Sequence, residues 1–149
     1  MNGDAGFTGP AGAIQPEVGI KIRQDAFTAF LGIEMLEIRP GFARAALAIN
    51  KNLINFNGVT HGGAVFALAD AVFAAASNSH GQVALALNIN VSFMKATREG
   101  ARLTAVAEEE NRTARTALYR ITVRDGEGDL VAVAGGLVYR KKEPVAKGP

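Results

Sequence analysis

The sequence predicts an α+β domain in which a curved antiparallel sheet wraps one long central helix, and three observations carry that reading. One segment, Gly62 to about Ser77, is apolar on every face and dominated by alanine, which favours helix over strand and marks a buried helix. Two strand-length segments precede it and four follow, every late connection being short enough for a hairpin. The 149 residues, 48% hydrophobic and 20% charged, have the composition of one globular domain with a real core.

The elements follow in chain order. Met1 to Glu17 carries Asp4, scattered Gly and Pro and no continuous apolar run, so it does not read as a secretory signal peptide, and 1–24 is expected to be a flexible leader. Asp25 to Leu31 opens on a capping residue and places Phe27, Phe30 and Leu31 at helical spacing before Gly32, a short helix that covers one edge or end of the fold. Ile33 to Arg39 and Phe42 to Ile49 flank Pro40-Gly41 as a β-hairpin, and the Asn- and Gly-rich stretch Asn50 to His61 is a loop. After the long helix, Ser77 to Gly81 supplies the stop, with Gly81 or Asn78 suited to a left-handed position. Val83 to Lys95, Leu103 to Asn111 and Ala114 to Arg124 read as strands. The last alternates Tyr119, Ile121 and Val123 against Arg120, Thr122 and Arg124, one face buried and one wet. Asp125 to Asp129 is a hairpin turn, and Leu130 to Tyr139 is a final strand whose Gly135-Gly136 implies a bulge or a close backbone approach. The domain then spans 25–142, with 143–149 a flexible tail.

Composition narrows the function. A net charge of +2 with no dense Lys/Arg stripe gives no footprint for nucleic acid, though it suits a polyanionic ligand such as a nucleotide-tailed thioester. The absence of cysteine removes disulfides, thiolate metal sites and a cysteine nucleophile, and fits a reducing cytoplasm. No membrane span is expected, since the closest candidate, Ala64 to Ala76, is too short and contains Asp70.

Asp70 is the single charge in the long apolar helix. Burying an unpaired carboxylate costs on the order of several kcal/mol, so either an arginine from the sheet, such as Arg112 or Arg115, pairs with it, or it faces a substrate cleft as a base or nucleophile. His61-Gly62-Gly63 stands where the helix begins. Glycines there let a ligand reach unpaired N–H groups at the positive helix end, an oxyanion site; alternatively His61 only caps the helix and the glycines make the turn. Asn55 is either a turn amide of the loop or part of the same site. Eight residues of helix separate Gly62 from Asp70, about 12 Å at 1.5 Å per residue. If both act on one thioester carbonyl, the Gly62 amide of one protomer must meet Asp70 of another. The site then lies in a dimer interface, and a structure that turns the two groups toward different cavities counts against it.

The segment from Asn55 through HGG to LAD at Asp70, followed by NSHG at 78–81 and NINVSFMKA at 88–96, resembles the hotdog-fold acyl-CoA thioesterases of the phenylacetic-acid-degradation type, over about Ile33 to Arg140. The resemblance implies a hotdog fold, a homodimer with shared active sites paired into a dimer of dimers, and hydrolysis of aryl- or medium-chain acyl-CoA, phenylacetyl-CoA-like substrates foremost, without metal or cofactor. It implies that Asp70 activates water or attacks the thioester, that the Gly62 amide polarises the carbonyl, and that Asn55 orients water or carbonyl. His61 is the motif's structural or orienting residue, and Gly63 completes the substrate-binding turn. Ala74 and Ala86 stand where some members carry a hydroxyl, a place Asn88 could partly fill. For the CoA arm the resemblance points to Lys95 and Arg98, then to Arg140, Lys141 and Lys142. Phe66, Phe73, Phe93 and Met94 either shape the acyl pocket or belong to the core. Two other readings stand beside this one: a hotdog dehydratase or hydratase, and a non-enzymatic acyl-CoA-binding module.

Overall fold

The computed structural model describes residues 12–147. Helices α1 (Pro16–Arg23) and α2 (Ala26–Leu31) lead into strands β1 (Glu34–Arg39) and β2 (Phe42–Ala48); then come the long helix α3 (Gly62–Asn78) and strands β3 (Gln82–Phe93), β4 (Arg102–Arg112), β5 (Thr116–Arg124) and β6 (Leu130–Pro144). The strands form one antiparallel sheet in the order β1-β2-β4-β5-β6-β3, and α3 packs against all six. This is the expected α+β hotdog arrangement of a curved sheet around a central helix.

The local signals act as read. Asp25 caps α2, its carboxylate accepting from the Thr28 N–H at 2.9 Å, and Gly32 ends the helix at φ +80°. Gly41 turns the β1–β2 hairpin at φ +73°. The helix can lie close to the sheet because the facing strand positions are small: Ala43 pairs with Ala107 and Ala45 with Ala105 across β2 and β4, all four fully buried. Phe73, buried in the same core, meets Tyr119 edge-on, ring centroids 5.8 Å apart. Gly136 makes that possible. A Cβ there would stand 2.6 Å from the Phe73 ring, so the glycine pair marks a close approach, while β6 keeps its register with β3 and β5 through Gly135 and Gly136 without a bulge.

Four expectations are corrected. Within the expected leader, 16–23 is helical: Pro16 stands in the first turn, Glu17 and then Lys21 and Arg23 complement the helix dipole, and Val18 is buried. Residues 1–11 lie outside the described residues. Within the expected tail, β6 runs on to Pro144 because Gln82 at the start of β3 pairs with it, and Val145 is buried, its N–H donating to Gly81 O at 2.9 Å. The connection from β3 to β4 is not a hairpin. Residues 94–101 cross from the β6 flank to the β2 flank, passing the start of α3, where Thr97 O accepts from Thr60 N at 2.9 Å. An alternating pattern says which face a strand buries but not which neighbour it takes. Finally, α3 is not buried all round in the single chain: Gly63, Phe66, Ala67, Asp70 and Ala74, spaced three and four apart, form one stripe that is exposed or half-buried.

Candidate active site

Helix α3 carries both ends of the candidate site. At its start, His61 is the N-cap, and its Nδ1 accepts from the Gly63 N–H at 2.8 Å. Ala64 and Val65 donate to His61 O at 2.9 and 3.3 Å. Gly62 alone of these first-turn amides donates to nothing among the described residues, so one N–H at the positive helix end stays available for a developing oxyanion. Gly63 must be glycine for the cap to form, since a Cβ would sit 2.9 Å from His61 Nδ1. With that nitrogen's lone pair taken, His61 acts as a cap that aims Gly62 rather than as a base through Nδ1.

Gly62 opens into a cavity of about 320 Å³ bounded by Val59, Thr60, Phe93, Met94 and Thr97. Thr60 and Thr97 tie its two walls together through a buried hydroxyl pair at 2.7 Å. Asn55 lies in the loop before it, half-buried, its Oδ1 accepting from the Asn57 and Val59 amides at 2.9 and 3.3 Å. The side-chain oxygen thus holds the turn, and the amide NH2 donates to no described group.

Asp70 opens into a different, larger cleft of about 500 Å³, roofed by Ile22, Phe27 and Thr28 of α1 and α2 and floored by Ala71, Ala74 and Ala75 of α3. It makes no hydrogen bond or ion pair with any described residue. The arginines considered as partners are engaged elsewhere: Arg112 with His80 and Glu109, Arg115 with the Tyr139 hydroxyl. Burial first, and then the nearby Asp25 carboxylate, raise the Asp70 carboxyl above its ordinary range. An unpaired carboxylate with raised proton affinity, facing a cleft, has the properties of a general base or nucleophile. Within one chain, then, Gly62 and Asp70 do face different cavities, the arrangement that counts against one carbonyl served by both groups unless a second protomer brings the two cavities together.

The expected CoA-binding residues fare unequally. Lys95 Nζ is held by Asp125 at 2.6 Å and Asp129 at 2.8 Å in the β5–β6 turn, and those bonds, that to Asp125 foremost, hold its proton more tightly than in an ordinary lysine. Asp125, Glu127 and Asp129 converge closely enough to hold a cation, but the lysine ammonium already serves them. Arg98 is exposed and, among the described residues, meets only Gly58 O at 3.3 Å, with no described carboxylate to answer its charge. Asn88, just past a bulge in β3, is exposed and accepts from Asn90 at 2.9 Å. Arg140 is tied to Thr113 O and Gln82, and Lys141 pairs with Glu143. Of the apolar candidates, Phe73 is core at 1% exposure, Phe93 and Met94 line the Gly62 cavity, and Phe66 lies on the open stripe.

Comparison with known proteins decides the family. The model of the family described as Thioesterase superfamily matches residues 57–132, which include His61, Gly62 and Asp70. The chain belongs to the thioesterase superfamily, and it is a thioester hydrolase. It is 32% identical over 116 residues to the acyl-coenzyme A thioesterase PaaI of Escherichia coli, covering 78% of this chain and 83% of that one. The solved structure of the E. coli PaaI protein from the phenylacetic acid degradation operon superposes with a TM-score of 0.83 at 29% identity, over 86% of this chain and 93% of that one. The TT0310 protein of Thermus thermophilus is 41% identical, with a TM-score of 0.77 over 79% of this chain and 99% of that one. Among the described residues no helix is long and apolar enough to cross a membrane.

Two features escaped the sequence reading. The walls of the Asp70 cleft come largely from α1 and α2, and the N-terminal Pro and the charges at both ends of α1 were the signals that could have revealed the first of them. The other is a polar network in which Glu109 accepts from His80 at 2.7 Å and Tyr119 at 2.6 Å, with Arg112 beside it. Its members come from two strands and the turn after α3, spread over 40 residues, and no spacing rule links them.

Proposed function

We propose that this thioesterase hydrolyses aryl- or medium-chain acyl-CoA, phenylacetyl-CoA-like substrates foremost, in active sites shared between two protomers. The unpaired Asp70 in its apolar cleft carries the reading. In it, the Gly62 N–H of one protomer binds the thioester carbonyl oxygen while Asp70 of the other drives the attack. As a base, Asp70 takes a proton from water as the hydroxide adds to the carbonyl carbon. The oxyanion then collapses, the C–S bond breaks, and the CoA thiolate leaves and is protonated. As a nucleophile, the carboxylate adds instead, expels CoA and leaves a mixed anhydride that water cleaves. Single turnover in ¹⁸O-water separates the routes, since only the anhydride route can put label into Asp70. Asn55 offers its free NH2 to the carbonyl or the water, Gly63 and Asn88 face the bound thioester, and Arg98, with Lys95 beside it, meets the CoA phosphates.

The dimer is supported by geometry. If both groups act on one carbonyl, the roughly 12 Å between Gly62 and Asp70 needs a second chain, and the edge strand β3, which packs against α3, leaves Leu85, Leu87 and Phe93 each more than half exposed, with Met94 just past its end. Pairing of dimers into a tetramer follows from the resemblance alone. Subunit mixing tests the shared site. Gly62→Pro deletes the amide hydrogen at a position where proline suits a helix, and Asp70→Asn deletes the carboxylate. Each variant alone should be inactive, and a refolded equimolar mixture should regain about a quarter of wild-type thiol release, since half of the dimers are mixed and each holds one intact site. A mixture as inactive as its components refutes sharing, and full activity of Asp70→Asn removes Asp70 from the chemistry. Release of thiol from none of a panel of acyl-CoAs would refute the function.

A further inference from the structure

We propose that the Thr60–Thr97 hydroxyl pair is a second hydrogen-bond donor of the Gly62 cavity, giving its spare hydrogen to the thioester carbonyl oxygen beside the Gly62 N–H. This rests on the thioesterase reading of Gly62 and adds a side-chain donor to the main-chain one. Each threonine hydroxyl carries one hydrogen and two lone pairs. Thr60 Oγ1 and Thr97 Oγ1 lie 2.7 Å apart, and neither hydroxyl has another hydrogen-bond partner among the described residues. One therefore donates to the other, and one hydrogen is left without an acceptor among the described residues. The two residues are only 8% and 7% exposed, so bulk water does not simply take that hydrogen. The space both residues border is the cavity of about 320 Å³ that they share with Gly62.

The backbone fixes the pair on the cavity wall. Thr60 N donates to Thr97 O at 2.9 Å, His61 N donates to Leu53 O at 2.7 Å, and Thr60 forms a bridge with Ile54. Branching at Cβ then leaves each hydroxyl few directions. The rest of the lining is apolar or engaged. Val59, Val65, Phe93 and Met94 offer no side-chain donor, and the Lys95 ammonium is turned to Asp125 and Asp129. The threonine pair is thus the side-chain donor left for a ligand there, and the Gly62 N–H, two residues past Thr60, is its main-chain counterpart. An acceptor oxygen in this cavity meets an amide hydrogen from the helix start and a hydroxyl hydrogen from the wall, among apolar side chains that keep the effective dielectric low. Both bonds strengthen as charge develops on the carbonyl oxygen, so the pair acts on the transition state more than on substrate binding.

The double variant Thr60→Val/Thr97→Val keeps the shape of both side chains and removes both hydroxyls, while Thr60→Ser/Thr97→Ser returns the hydroxyls without the methyl groups. On the acyl-CoA that the wild type turns over fastest, the valine pair should lower kcat about tenfold or more and move KM by less than about threefold. The serine pair should recover most of that loss. Thr60→Ala/Thr97→Ala carries the same comparison if the valine pair does not fold. In parallel, isotope-edited infrared spectra of a bound acyl-CoA ketone, with CH2 in place of the thioester sulfur and ¹³C at the carbonyl, read the hydrogen bonds at that oxygen without turnover. The carbonyl band should move to higher wavenumber in the valine pair and return in the serine pair. An unmoved band, a valine pair with wild-type kcat, or a loss that serine does not reverse would overturn the proposal. A shifted band in a protein that releases thiol from no acyl-CoA would sustain the donor and overturn the thioesterase reading of Gly62.

Discussion

Asp70→Asn should abolish turnover and, at neutral pH, make the protein more stable. The carboxylate lies half-buried against alanines and makes no hydrogen bond or ion pair with any described residue, so the folded state bears a desolvation cost that the unfolded chain does not. A buried unpaired polar group costs about 1–3 kcal/mol in mutational series. With part of Asp70 still in water the low end applies, about 1 kcal/mol. For 149 residues that is a rise in Tm of about 2–4 °C. The sign with pH follows from the raised carboxyl. Above its folded pKa the penalty is fully present, and it fades as the pH falls toward the ordinary value of 3.8, where the unfolded carboxyl protonates as well. The advantage of the asparagine variant should therefore be largest at pH 7 and shrink on acidification. Scanning calorimetry of both proteins at one fixed concentration, at pH 7 and pH 4.5, reads this out beside a thiol-release assay. A fall in Tm of several degrees at pH 7 would mean that Asp70 is a bonded structural carboxylate, and the functional reading of its isolation would fail with it.

Gly136→Ala should destabilise the fold by about 2 kcal/mol or more, because its Cβ would stand 2.6 Å from the buried ring of Phe73, which already packs against Tyr119, and a lowered urea midpoint would show this. Glu109→Gln should lose stability chiefly at neutral pH. Burial alone would raise this carboxyl, but the hydrogen bonds from His80 and Tyr119 and the charges of His80 and Arg112 outweigh it, leaving it below its ordinary range. A depressed carboxyl stabilises above its unfolded pKa and loses that contribution as pH falls through the folded one, so the gap between the two proteins' urea midpoints should narrow as the pH falls below the ordinary 4.5. Arg98→Ala should raise KM for acyl-CoA while leaving acyl-pantetheine unchanged, and Lys95→Ala should do so less, because its charge is already answered by Asp125 and Asp129.

Local chemistry was legible in the sequence and long-range placement was not. The Asp25 cap, the Gly32 stop, the Gly41 turn and the alanine-rich α3 each declare themselves within a few residues. The 12 Å between Gly62 and Asp70 followed from helix rise alone. By contrast, the edge position of β3 depends on which strand it meets, and its alternation gives no neighbour. Helix α1 hid because it buries little beyond Val18, so its apolar stripe is thin although its end charges are in place. The apolar run of α3 was read as burial on every side, whereas one stripe of it is open in the single chain. Composition cannot tell a side covered by the chain's own sheet from one left for a ligand or a second copy.

That open stripe also separates the chemistry from the selection of substrate. Gly62 and Asp70 both fall inside the segment matched by the thioesterase family model, 57–132, whereas Lys21, Ile22, Phe27, Met35 and Val145, which close the cleft over Asp70, all fall outside it. The flanks are hydrogen-bonded to each other as well as packed against the reactive helix: Lys21 holds Val145 O, and Val145 N holds Gly81 O beyond the end of α3, while α1 and α2 lie against α3. Substitutions in α1, in α2 away from its Asp25 cap, or at the end of β6 can therefore reshape the cleft over Asp70 while leaving intact the hydrogen bonds of the His61 cap that aims Gly62. Changes of acyl preference at undiminished turnover on the preferred substrate should arise in the flanks, and losses of turnover on every substrate in the matched segment.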